Sequence, residues 1–272
     1  MPGKVALYQL RLQFSRFMKN RLLAFLIHLA LSAVIAAVVM AIVFWVWYPA
    51  PLHAAVGVTE IFLLLMAVDV TIGPVITLII YKPNKPSLKF DLAVIALLQL
   101  CALSYGINTV FAGRPAFIVF AKDRFEIARA SDLDANSVAK AMQNGNQTAV
   151  AGWTQPRWVA AIESPDPKRN QEILFSAVQG GPDWPLLPEL FVPLAQVKEQ
   201  ILASAKPLQE LRELHSKDDR LKLLAERQDS EAKWLPLRGI AKNMTVLVDP
   251  ASAAVIDILD IDPWNATAIS SK

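Results

Sequence analysis

The sequence predicts an integral membrane protein with three N-terminal transmembrane α-helices and a C-terminal α+β domain built on an antiparallel sheet. Two observations carry this reading. Of 272 residues 54% are hydrophobic, above the usual apolar share of a soluble domain, and nearly all the excess lies before Arg114. Of the 24 acidic residues, three (Glu60, Asp69 and Asp91) fall in that part. The rest of the chain has strand-like alternation and helical leucine spacing, with 19 Lys and Arg against 21 acids.

The membrane part, 22–112, holds three apolar runs: 22–48, 54–81 and 92–112. A hydrocarbon core about 30 Å thick needs roughly 20 helical residues, and each run supplies them. Backbone polar groups must be satisfied within the segment, so these are helices rather than strands. Three such runs leave no polar faces to enclose them as buried core helices. The first run is too long for a signal-peptide core of roughly 7–15 residues. It ends in Phe-Trp-Val-Trp-Tyr-Pro, aromatic residues typical of a membrane interface, and reads as a retained anchor.

Orientation follows from the short flanks. Segment 1–21 carries Lys4, Arg11, Arg16, Lys19 and Arg21 with no acid, and the loop after the second run carries Lys82, Lys85 and Lys89. The link Pro-Ala-Pro-Leu-His between the first two runs has neither Lys nor Arg. The positive-inside rule places the N-terminus and the Lys-Pro loop in the cytoplasm and everything after the third run outside it. The net charge of +3 is then a topology signal, not evidence of a nucleic-acid surface. The single cysteine, Cys101, lies in the third run and excludes an intramolecular disulfide.

Residues 113–272 are long enough for one domain. Phe117, Val119 and Ala121 alternate, then a Lys-Asp turn precedes Phe125 and Ile127, which predicts a hairpin. A helix is expected over 131–142 with Ser131 as N-cap, and a short strand over 157–162. Segment 180–193 reads as a Gly/Pro connector. Leucines at 208, 211, 214, 221 and 224 predict one long or two short surface helices over 194–228, broken at Pro207. Strands are expected at 235–240, 244–248 and 254–260.

The outer domain offers no catalytic set. His215 sits in a polar stretch and reads as part of a solvated face. No Ser lies in a G-x-S-x-G elbow, no metal-ligand spacing occurs, and Gly180-Gly181 lacks the flanking strand and helix of a phosphate loop. Asp257, Asp260 and Asp262 read as a strand and its exit. No cofactor or metal is expected, and nothing argues for an enzyme.

Polar residues inside the apolar runs are more informative. His28 reads as a ligand or proton carrier or, in the preferred reading, as hydrogen-bonded to a neighbouring helix, and Glu60 lies near the outer interface. Asp69 lies roughly 18 Å from the cytoplasmic end of its run, near the bilayer midplane. A charged carboxylate there costs about 2.5–3.5 kcal/mol on insertion scales. It must be neutral, paired, or turned toward protein. Tyr105, at the same depth on the third run, is the expected partner. Gly73 admits a neighbouring helix and Pro74 interrupts the hydrogen-bond ladder, so a kink or a helix-docking point is expected. The Lys-Pro loop suits anionic headgroups.

These residues carry a resemblance. Asp69, Gly73-Pro74, Lys82-Pro83, Lys85-Pro86 and Lys89-Phe90-Asp91-Leu92 form a contiguous pattern that resembles the TfpX/TfpZ type IV pilin accessory proteins. The likeness continues through Gln99, Tyr105-Gly106 and Arg114-Pro115, and includes Ala-Phe-Leu-Ile-His-Leu in the first run and Trp-Tyr-Pro-Ala-Pro-Leu after it. It ends at Asp262-Pro263-Trp264. Members usually begin just before the first span, as this chain would from Met18, and 140–234 carries no transferable motif.

The resemblance implies a multi-pass protein of the bacterial inner membrane with a periplasmic domain at 113–272. It implies a non-enzymatic accessory or chaperone that helps its cognate major pilin reach the surface, in contact with inner-membrane lipids and the pilus assembly machinery. The pattern residues become candidate pilin-docking positions. The alternative is a membrane-anchored periplasmic ligand-binding or sensor protein, against which stand cytoplasmic parts too short for an output domain. A transporter is disfavoured by three spans without an inverted repeat.

Overall fold

The structure is a computed structural model. It describes residues 2–215 and 231–264, with side chains described from residue 14 onward. The chain forms two compact units, 1–43 with 59–110, and 44–58 with 111–272. The connector after the first helix thus groups with the second unit.

The first unit is helical. Helix α1 (Pro2–Ala41) continues into a π-helical turn at Ile42–Trp47, so the basic segment prolongs the first helix. Helix α2 (Leu52–Val56) is a single turn in the connector. Helices α3 (Val58–Ile80) and α4 (Leu88–Ala112) form a hairpin. All three long helices are long and apolar enough to cross a membrane, the first counted over Phe14–Trp47. Leu26, Leu64 and Leu97 stand exposed on them, as expected of helices whose solvent is lipid. Between α3 and α4 the chain turns at Asn84, whose φ is 63°, closed by Lys85 N–H on the Lys82 carbonyl at 3.2 Å. Asp91 sits in the first turn of α4, where a carboxylate complements the helix dipole. It accepts from the Ser87 hydroxyl at 3.3 Å and pairs with Lys85 at 2.6 Å.

The second unit is a sheet domain. Its strands are β1 (Pro115–Ala121), β2 (Arg124–Arg129), β3 (Arg157–Ala161), β4 (Phe191–Val192), β5 (Lys206–Pro207), β6 (Lys233–Arg238), β7 (Met244–Val248) and β8 (Val255–Leu259). Their order is β4-β3-β1-β2-β6-β7-β8, with β5 beside β6. The expected hairpin is present, with Phe120 opposite Phe125 across the Lys122-Asp123 turn. The sheet is mixed, which corrects the antiparallel expectation: β1 pairs β3 and β2 pairs β6 in parallel. Each parallel pair joins strands that are not consecutive in sequence: β2 reverses the chain between β1 and β3, so β3 enters beside β1 in the direction of β1. Alternation along a strand is the same in either orientation.

β1 is buried on both faces. Ile118 and Phe120 pack with Phe125, Leu235, Leu237, Met244 and Val246 on one side. Phe117 and Val119 pack with Ala128, Val159 and Phe191 on the other. Leu52 and Ala55 of α2 lie in the first of these cores. The Ala55 carbonyl accepts from Ile240 and Ala241 N–H, each at 2.9 Å, and from Lys242 N–H at 3.3 Å. Gly57 ends α2 with a φ of 78°, and a Cβ there would stand 2.7 Å from the Ala241 Cβ. A side chain at 57 is thus excluded twice, by conformation and by space.

Other expectations are corrected in detail. The helix after the hairpin is α5 (Ala135–Gln143), capped by Asp134, whose carboxylate accepts from Ser137 N–H at 2.8 Å; Ser131 N–H instead meets the Ala112 carbonyl. Helix α6 (Pro167–Val178) was not anticipated, although Asp166-Pro167 is a start signal: Asp166 accepts from Lys168 N–H at 3.0 Å. Segment 180–193 contains β4 as well as turns. Two short helices, α7 (Lys198–Ser204) and α8 (Leu208–Leu214), flank Pro207 as expected, with Pro207 itself in β5. Leu208 and Leu211 are not surface residues but pack with Trp234, Leu247, Leu259 and Ile261. Leu221 and Leu224 lie outside the described residues. His215 is 5% exposed rather than solvated, because the end of α8 folds against the exit from β8, with His215 Nε2 3.0 Å from the Asp262 carbonyl.

Candidate functional site

Within the helical unit the polar side chains bind helix to helix. Arg21 Nε donates to the Leu78 carbonyl at 2.8 Å and Arg21 Nη2 to the Ile79 carbonyl at 2.5 Å. One guanidinium thereby satisfies two carbonyls that the C-terminus of α3 leaves without helical donors. One helical stretch further along, His28 Nδ1 lies 2.7 Å from the Thr77 hydroxyl, which is the neighbour-helix bond expected of His28. Thr77 itself is buried.

Asp69, Gly73 and Gln99 come together in the α3–α4 hairpin. The Gln99 amide nitrogen donates to the Asp69 backbone carbonyl at 3.1 Å, the same carbonyl that helix geometry assigns to Gly73 N–H. A Cβ at residue 73 would overlap the Gln99 amide, so glycine forms the recess in which that side chain lies. Pro74 is buried and α3 runs through it unbroken; lacking an N–H, Pro74 leaves the Val70 carbonyl without its helical donor. Tyr105 is 76% exposed, and no hydrogen bond links its hydroxyl to Asp69. The expected Asp69–Tyr105 pair is therefore replaced by Gln99 bonding to the Asp69 backbone.

The remaining pattern residues divide. Lys85, Asp91 and the prolines 83 and 86 shape the turn, with Lys82 before it and Lys89 in the first turn of α4. Arg114 and Pro115 belong to the sheet unit, where Pro115 opens β1. Arg114 is 6% exposed, and no carboxylate among the described residues pairs with it. Its guanidinium donates to the Phe111 and Gly152 carbonyls, each at 2.8 Å, and lies 3.8 Å from the Phe111 ring centroid. Burial lowers the Arg114 pKa, with Tyr48 opposing the shift. Burial raises that of the Tyr48 phenol, with Arg129 and Arg114 opposing. Trp47, Tyr48 and Leu52 of the connector are all buried, which gives the Trp-Tyr-Pro-Ala-Pro-Leu segment a packing role that sequence reasoning missed.

Among the described residues no group of three His, Cys, Asp or Glu is placed to hold a metal ion. The architecture is that of a protein with three candidate membrane helices, knit by polar contacts between them, and a mixed-sheet domain.

Comparison with known proteins narrows the class. The family model described as Fimbrial assembly protein FimB matches residues 16–57, which cover most of α1 and the connector as far as Gly57. A fimbrial assembly protein of Dichelobacter nodosus, serogroup I, is 30% identical over 184 residues, covering 67% of this chain and 70% of the relative. The serogroup E1 protein of the same organism is 30% identical over 192 residues, with the same coverage. The protein of serogroups C1 and C2 is 34% identical over 109 residues, covering 39% of this chain and 83% of the relative. The chain belongs to the fimbrial assembly protein family. No solved structure matches it.

Proposed function

We propose that this protein is a non-enzymatic accessory factor of type IV pilus biogenesis, of the TfpX/TfpZ kind, that holds its cognate pilin in the bacterial inner membrane. Membership of the fimbrial assembly family supports a part in pilus biogenesis. The observation that carries the finer reading is the pairing of an apolar three-helix unit, with Asp69 and Gln99 at one point, with a separate folded domain. A pilin with one membrane helix and a folded head would meet a partner of that layout at both levels. In this reading the N-terminus and the Lys-Pro loop are cytoplasmic and the sheet domain is periplasmic, from the distribution of Lys and Arg in the short flanks.

Alkaline phosphatase fused after Lys272 should be active, and the same enzyme inserted within 83–88 inactive; the reverse pattern would overturn the orientation. Photo-crosslinking in intact membranes followed by purification should recover the cognate pilin. Recovery of no pilin, from cells that make one, would remove the chaperone reading.

One observation favours the alternative of a ligand-binding domain. A cavity of about 540 Å³ opens between α5 and α6, lined by Asp134, Asn136, Lys140, Gln143, Arg169 and Ser176 among others. Its cations are already engaged: Glu189 is 2.6 Å from Arg169 and 3.2 Å from Lys140. With the cations internally neutralised, the cavity is secondary to the membrane site.

A further inference from the structure

A groove of about 530 Å³ runs along the hairpin, lined among the described residues by α3 and α4 alone. Its walls are apolar, with Ile72, Ile76, Val94, Leu98 and Ala102 prominent, and three polar residues interrupt them: Asp69, Asp91 and Gln99. Two of the three are engaged. Asp91 is held by Lys85 and Ser87, and the Gln99 amide nitrogen is bound to the Asp69 backbone. The Asp69 carboxyl makes no hydrogen bond or ion pair among the described residues, yet it lines this groove and also the smaller cavity that His28 and Ser32 border.

We propose that the groove seats an apolar helix from another membrane-embedded chain, and that this helix presents a hydrogen-bond donor or ammonium group to the Asp69 carboxyl. The proposal rests on the reading of the protein as a pilin-holding membrane factor, and adds the face that holds and the chemistry that recognises.

Three arguments select this occupant. From Val68 to Ile80 the α3 wall is about 18 Å long, more than three helical turns, which suits a helix laid alongside. An acyl chain would fill the apolar volume but bring no donor to a carboxyl in hydrocarbon, where an unsatisfied polar group is unfavourable. A second copy seated on this groove would bring its own α3 and α4 lining, whose polar residues are Asp69, Asp91 and Gln99, none of them a cation.

The test uses the full chain in vesicles of phosphatidylethanolamine and phosphatidylglycerol. The probes are two synthetic Leu/Ala membrane-spanning helices, identical except for a central Lys or a central Leu. The Lys helix should bind about threefold to thirtyfold more tightly, the range expected of a polar contact between helices in lipid. Asp69→Leu should abolish the difference. Ala102→Phe, which fills the groove and leaves Asp69 in place, should weaken both probes, whereas Leu97→Phe, outside the groove, should leave both unchanged.

Should Asp69→Leu fail to fold, the Ala102→Phe and Leu97→Phe pair decides the location. Equal binding of the two probes, or full binding to Ala102→Phe, would overturn the inference. Neither result would touch the pilin reading, which stands or falls on recovery of pilin from intact membranes.

Discussion

Leu52→Ala in the full chain is expected to destabilise the sheet domain by about 2–5 kcal/mol, although residue 52 lies in the link between two apolar helices. Leu52 is 2% exposed and packs in the same core as Ile118, Phe120, Leu235 and Met244. Removing its terminal methyls opens a cavity that the flanking strands can close only in part. The chemical-denaturation midpoint of the detergent-solubilised protein should fall. Amide exchange at Ile240, Ala241 and Lys242, whose N–H groups meet the Ala55 carbonyl, should accelerate first. Unchanged exchange at those three amides would show that the connector is not part of the domain's stability.

Gly73→Leu is expected to separate α3 from α4, at a cost of about 1–3 kcal/mol from overpacking, with loss of the Gln99 hydrogen bond in addition. The new side chain would occupy the space of the Gln99 amide. The double variant Gly73→Leu with Gln99→Ala should recover part of the loss, because it clears the overlap. Cysteine pairs placed across the hairpin in a background lacking Cys101 would report the separation as reduced disulfide yield. Equal yields in the single variant and the parent would refute the recess.

The helices were legible because lipid demands a long apolar run and tolerates little else. The partner of Asp69 was not, for a geometric reason. The third apolar run starts at 92, whereas α4 starts at Leu88 and takes Lys89 and Asp91 into its first turn. Four residues at 1.5 Å each move every depth by about 6 Å, roughly one turn. That displacement, together with the outward direction of Tyr105, brings Gln99 rather than Tyr105 to Asp69. The burial of His215 and the parallel strand pairs depend on segments distant in sequence, and local periodicity carries no record of them. The connector was misread because Pro-Ala-Pro-Leu-His is short and uncharged, which suits a loop; Gly57, a stop before the helix that follows, was the signal against it.

The connector also sets a timetable for biosynthesis. Ala55 leaves the ribosome almost two hundred residues ahead of the 240–242 turn that binds its carbonyl. At synthesis rates of about 5–20 residues per second, the interval is roughly ten to forty seconds. Until it ends Leu52 and Ala55 lack the part of their core that Leu235, Leu237, Met244 and Val246 supply. Strands β6 and β7, translated late, close around a segment among the first to emerge, so a nascent chain halted before residue 233 leaves that segment with only part of its core.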